Sequence, residues 1–228
     1  MFENAELAAL KKTIIKRFFL GYLILGLLFF LPAGTLKYWE AWAYMAVIAV
    51  PMTIFAVYMF KHNPKFLERR MRLREKRQKQ KLIQKPGIIT LLLPVILPGI
   101  DSRFGWSDVS LPMTIAGLAM VLLGYLLILS VFMANEYASR VVEVEDEQKV
   151  ITTGPYALIR HPMYFSVIVF YLFTPVALGS YWAVISVSPL IPFLIVRIID
   201  EEKELEDKLM GYREYMQKVK YRLIPGIW

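Results

Sequence analysis

Apolar positions along the chain collect in long runs, and the charges sit in blocks between them. Five runs stand out: 18–31, closed by Pro32 and Gly34; 39–60, with only Glu40 charged at its edge; and 111–134, 163–178 and 181–196, all without charge. A helix that crosses a bilayer needs ~20 apolar residues, with a range of ~17–25. Charges near the bilayer centre are costly, so they must gather outside such runs. The pattern therefore predicts an all-α integral membrane protein. The last two runs are slightly short, but Tyr181 and Trp182 suit the headgroup level. Gly179-Ser180 joins these runs as a tight helical hairpin over 163–196.

A sixth segment, 87–100, holds Pro94 and Pro98 and is short enough either to span or to re-enter. The block 61–86 carries eleven Lys/Arg against Glu68 and Glu75, a net +9 that exceeds the +8 of the whole chain. By the positive-inside rule it is cytoplasmic, as are Lys11, Lys12, Lys16 and Arg17. If 87–100 spans, the 135–162 loop and the C-terminal tail also face the cytoplasm; if it does not, both face outside. The spanning alternative is adopted, giving about six transmembrane helices with both termini cytoplasmic. Residues 1–134 then form an N-terminal helical region and 135–228 a C-terminal one.

Composition adds limits. The chain has 228 residues, 57% hydrophobic, with mean hydropathy +0.47. Cysteine is absent, which excludes disulfides, zinc–thiolate sites and a cysteine nucleophile. His62 and His161 are the two histidines, too few for a His-rich metal site. The first apolar stretch runs too long for a cleavable signal peptide, and no small-residue cleavage site follows it. The basic block beside a span is read as a topology determinant that binds anionic lipid, not nucleic acid. Residues 141–146 read as an extended or irregular loop. Residues 200–219 read as one charged amphipathic helix with Ile199, Leu205 and Leu209 as its apolar stripe.

Two polar clusters flank the last hairpin. The first runs Thr153-Gly154-Pro155-Tyr156, then Arg160-His161-Pro162-Met163-Tyr164. Gly154-Pro155 marks a turn, and Pro155 and Pro162 each suit the first position of a helix. His161 precedes proline and must leave the helical region. It then stands at the N-terminus of a membrane helix, where unpaired N–H groups favour an anion. The second cluster is Arg197 through Glu202. Arg197 and Glu201 are four apart and share a helix face. A guanidinium there could hold a carboxylate in bidentate fashion, with Glu201 orienting it. Glu202 points about 100° away, free to accept from a separate ligand. Taken alone, each cluster is also consistent with an interfacial helix anchor or a surface ion pair. The hairpin brings both to the same face, together with Tyr156, Tyr164, Tyr212 and Tyr215.

Gly154-Pro155-Tyr156, Arg160-His161-Pro162-Met163-Tyr164, Arg197 through Glu202, Tyr212-x-x-Tyr215 and Arg222-Leu223-Ile224-Pro225 follow in order. In that order they resemble the isoprenylcysteine carboxyl methyltransferase family and, more distantly, the phospholipid N-methyltransferases. The likeness covers roughly 136–225. It implies an integral membrane methyltransferase that uses S-adenosyl-L-methionine, bound by a C-terminal helical region. Carried over, it implies Tyr156, His161, Met163, Tyr164 and Glu202 as cofactor contacts, and Arg197 with Glu201 as the catalytic and substrate-binding pair. Met210 stands before Gly211 where the family often has Phe. The implied acceptor is a lipophilic molecule from the bilayer, most simply the carboxylate of an isoprenylcysteine-like or isoprenoid acid. A phospholipid amine or a small thiol are alternatives. So are a sterol-reductase-like enzyme using reduced nicotinamide cofactor and a non-enzymatic adaptor working through the basic loop.

Overall fold

A computed structural model describes residues 4–71, 78–135, 137 and 149–228. Among them the regular structure is helical: α1 (Asn4–Ala33), α2 (Trp39–His62), α3 (Pro64–Met71), α4 (Gln78–Phe104), α5 (Leu111–Ala134), α6 (Pro162–Ala177), α7 (Leu190–Lys208) and α8 (Tyr212–Lys218). Short 3-10 turns occupy Gly154–Ala157 and Trp182–Val187. Five stretches are long and apolar enough to cross a membrane, in α1, α2, α4, α5 and residues 182–208; α6 is apolar but shorter. At 16 residues α6 is about 24 Å long, less than the ~30 Å hydrocarbon core. The expected count of about six agrees with five spans and this shorter helix.

The outward faces are apolar. Phe19, Leu23 and Leu31 of α1 and Ile54 of α2 are each more than 60% exposed, and only 6% of the apolar window of α1 is buried. Such a surface is stable only against lipid. Inside, Phe29, Tyr44, Val121 and Leu178 form a core shared by α1, α2, α5 and the end of α6. The α5–α6 pair approaches most closely. A Cβ on Gly117 would lie 2.7 Å from the Ala177 nitrogen, and one on Gly124 2.7 Å from the Phe170 nitrogen. Small residues permit such contact where no water drives helices together.

The ambiguous segment is settled as part of a helix: α4 runs unbroken through Pro94 and Pro98, and 87–104 qualifies as a span. Residues near the starts of α4 and α6, near the end of α5 and in α7 therefore share one end of the bundle with Arg70 of α3, as the lining of a common cavity there shows. The opposite face is closed by a polar knot. Asp101 accepts from the Ser107 amide at 2.8 Å, from Ser107 Oγ at 2.7 Å and from Ser180 Oγ. Trp39, Trp42, Trp106 and Trp182 are exposed at helix ends on this face, where interfacial aromatics belong.

Three expectations change. The run 181–196 is not one helix: it begins as a 3-10 turn, and α7 starts at Leu190 and continues through the charged residues to Lys208. The helix expected over 200–219 is two helices, broken at Gly211, whose φ is 85°. That left-handed conformation costs a residue with a Cβ about 1–2 kcal/mol, and glycine escapes it. Ile199 does not join the stripe; it is exposed, while Leu205 and Leu209 pack with Tyr212 and Tyr215. The physical reason is helical register: at about 100° per residue Ile199 lies about 120° around the axis from Leu205, while Ile198 and Glu202 fall on the buried side. The loop expected over 141–146 lies outside the described residues, as does part of the basic block, of which 64–71 is helical.

Candidate active site

The site is assembled by chain crossings at one end of the bundle. His161 caps α6 with φ −122° and ψ 60°, and Pro162 opens the helix, as the residue before a proline requires. The amides of Arg160 and His161 donate to the carbonyls of Tyr221 and Arg222, each at 2.9 Å. The Arg160 guanidinium adds bonds to the Val219 and Lys220 carbonyls at 2.9 and 2.8 Å. The tail after α8 is thereby laid across the start of α6.

Glu202 is the centre of this arrangement. It is 4% exposed, and its carboxylate accepts from Arg160 Nε at 2.7 Å, His161 Nε2 at 3.1 Å and Arg222 Nε at 2.7 Å. Glu202 does not line the cavity described next; it stands behind it and fixes the residues that do. Arg160 and Arg222 were present in the sequence motifs without an assigned role. Their shared carboxylate was not readable because Arg222 lies 20 residues beyond it.

Arg197 and Glu201 are joined through Tyr164. Arg197 Nε donates to the Tyr164 hydroxyl at 2.9 Å, and that hydroxyl donates to Glu201 Oε2. A residue of α6 thus completes a relay whose other two members come from α7. Tyr156 is set by two neighbours: Asn135 Nδ2 donates to its hydroxyl at 2.9 Å, and its carbonyl accepts from the Tyr215 hydroxyl at 2.7 Å. Burial pushes the Tyr156 hydroxyl up to about 12. Burial, with Glu202 and Glu201 close by, also raises Tyr212, and burial with Tyr156 nearby raises Tyr215. These hydroxyls therefore remain protonated donors at any ordinary pH.

These groups surround a cavity of about 620 Å³. Its polar wall holds Tyr156, His161, Tyr164, Arg197, Glu201 and Tyr212, with Met163 beside them. Its apolar wall is built by Gly87, Ile88, Leu91, Phe132, Val167 and Phe193. Ile88 is 56% exposed on a membrane helix, so this wall reaches the lipid-facing surface. Arg70 of α3 and Lys149 border the cavity as well, and the Arg70 guanidinium sits 4.2 Å over the Phe132 ring. Of the residues expected at the site, Tyr156, His161, Met163, Tyr164, Arg197 and Glu201 line one cavity, and Glu202 alone does not. Arg70 carries no signal of its own as one of eleven Lys/Arg in 61–86.

Fold and site define the class: a multi-pass helical membrane protein with a polar pocket whose apolar wall reaches the lipid-facing surface. Residues 115–207 match the model of the Isoprenylcysteine carboxyl methyltransferase (ICMT) family, so this region is similar to that of a membrane methyltransferase. It begins within α5 and takes in Tyr156, His161, Met163, Tyr164, Arg197, Glu201 and Glu202. It stops before Tyr212, Tyr215 and Arg222. No curated protein matches the chain.

Proposed function

We propose that this protein transfers a methyl group from S-adenosyl-L-methionine to a lipophilic carboxylate that enters from the bilayer, an isoprenylcysteine-like or isoprenoid acid. The observation that carries the reading is the Arg197–Tyr164–Glu201 relay on the wall of a cavity whose other side reaches lipid. The donor set fits the cofactor: aromatic rings from Tyr156, Tyr164 and Tyr212 suit an adenine, and hydroxyl, carboxylate and imidazole groups suit its amino-acid and ribose ends.

When bound, the cofactor supplies an activated methyl on a sulfonium. The O–CH₃ bond forms as the S–CH₃ bond breaks, and the opposite charges of carboxylate and sulfonium cancel in the products. An ionised carboxylate needs no general base, so the work of the chain is orientation and exclusion of water. Tyr164 takes the Arg197 Nε–H and thereby aims the guanidinium. Arg197 then holds the carboxylate. Glu201 already accepts the Tyr164 proton donor, which favours a carboxylate over an amine that would have to give Glu201 a proton. The cytoplasmic orientation of the site and recruitment of anionic lipid by 61–86 belong to the same proposal.

The test is calorimetric binding of S-adenosylmethionine to the purified protein, followed by methyl transfer to a farnesylated cysteine analogue in anionic and in neutral vesicles. Arg197→Ala should abolish turnover on the carboxylate and leave cofactor affinity within about threefold. Transfer to phosphatidylethanolamine instead would assign the N-methyl alternative. Unchanged turnover in Arg197→Ala would defeat the assignment of the relay.

A further inference from the structure

The motif Arg222-Leu223-Ile224-Pro225 contributes no residue to the cavity wall, yet its geometry is closely fixed. Pro225-Gly226 forms a type II turn: the Ile227 amide donates to the Ile224 carbonyl at 3.1 Å, and Gly226 has φ 81°, the positive value that the third position of such a turn requires. The turn brings Trp228 back over the motif. The main-chain oxygen of Trp228 accepts from the amides of Arg222, Leu223 and Ile224 at 3.0, 3.0 and 3.2 Å, a nest of three successive N–H groups. Its ring faces the Arg222 guanidinium, whose central carbon is 5.2 Å from the ring centroid.

Arg222 in turn touches both α6 and α7. Its carbonyl accepts from the His161 amide at 2.9 Å, and its Nε donates to Glu202 Oε2 at 2.7 Å. The other Glu202 oxygen meets Arg160 Nε and His161 Nε2, and both of those residues border the cavity. The Arg222 side chain is 33% exposed, against 6% for that of Glu202. A long cationic side chain that reaches water samples many rotamers, and an ion pair made by it loses strength to that freedom. An aromatic ring against the guanidinium face removes the freedom and attracts the cation.

We propose that Trp228 is a positioning residue for the cavity: it fixes Arg222, and Arg222 acts through Glu202 to fix Arg160 and His161 on the wall. The inference rests on the cofactor reading above, since S-adenosylmethionine is the ligand whose binding reports on that wall. Trp228 and Arg222 both lie beyond the family match.

Calorimetry with S-adenosylmethionine, and thermal unfolding without it, compare wild type with Trp228→Phe, Trp228→Leu, Arg222→Ala and the double variant Arg222→Ala/Trp228→Leu. Phenylalanine keeps an aromatic face, and leucine keeps only apolar bulk. Trp228→Phe should bind within about twofold of wild type and Trp228→Leu about three- to tenfold more weakly, the effect of losing a cation–π contact at a partly exposed site. Arg222→Ala should bind at least as weakly, and in that background Trp228→Leu should change affinity by less than about twofold, because its effect runs through Arg222. Equal affinities of Trp228→Phe and Trp228→Leu would overturn the inference, since a packing role alone would then remain. So would losses that multiply in the double variant, or a Trp228→Leu protein that does not fold. In each of those cases a wild type that binds S-adenosylmethionine leaves the methyltransferase reading standing. A folded wild type that binds none would overturn both.

Discussion

Glu202 gathers two guanidinium groups and the His161 ring behind the cavity, and its removal would leave the buried Arg160 without its anion. Breaking a buried pair from one side costs on the order of 3–5 kcal/mol, because the remaining charge is uncompensated. Glu202→Ala should therefore lower the unfolding temperature and weaken S-adenosylmethionine together. Weakened binding at an unchanged unfolding temperature would instead make Glu202 a direct cofactor contact, the role that the family resemblance implied. Tyr164 illustrates a second kind of dependence at this scale. Its hydroxyl stands between Arg197 and Glu201, so the pair that spacing placed on one helix face is linked through a side chain from another helix.

Among the elements, α5 and α6 carry the site's geometry. α6 is short and starts at the catalytic end, and its depth is set by two glycines of α5 rather than by its own length. Gly124→Ala would put a methyl 2.7 Å from the backbone nitrogen of Phe170, which only a helix shift relieves. Overpacking of this sort costs about 1–3 kcal/mol. Gly21→Ala is the natural comparison, since nothing lies within 4 Å of the added carbon. Unfolding in detergent should show Gly124→Ala destabilised and Gly21→Ala unchanged or slightly stabilised, helix propensity favouring alanine. Equal stabilities would mean that the α5–α6 contact is not tight. α7 shows why element boundaries were the weaker part of the sequence reading. Hydropathy falls at Arg197, but the helix continues to Lys208, because no glycine or proline interrupts it on the way.

The whole molecule is polarised. One end carries the cavity, Arg70 and α8; the other carries the Asp101 knot and exposed tryptophans. The chain's lack of cysteine allows this to be tested directly. Single exposed replacements Lys65→Cys, Lys218→Cys and Asp108→Cys can be probed with a membrane-impermeant thiol reagent on intact cells. Asp108→Cys should label at once, and the other two only after permeabilisation. The reverse pattern would place the site outside. Six hydrophobic runs were legible in the sequence, because lipid imposes length and charge rules on each helix separately, and so were the six expected site residues that line the cavity. The ordered motifs also announced the family, since they mark local turns and helix starts: Pro162 opens α6 and Gly211 ends the turn after α7. What only the tertiary structure decided is which side chains meet across elements. Glu202 turns away from the cavity to Arg160, His161 and Arg222 of the tail, and Tyr212 joins the cavity wall from the helix that follows Gly211. Such choices depend on where helices distant in sequence come to rest, and neither periodicity nor spacing encodes that.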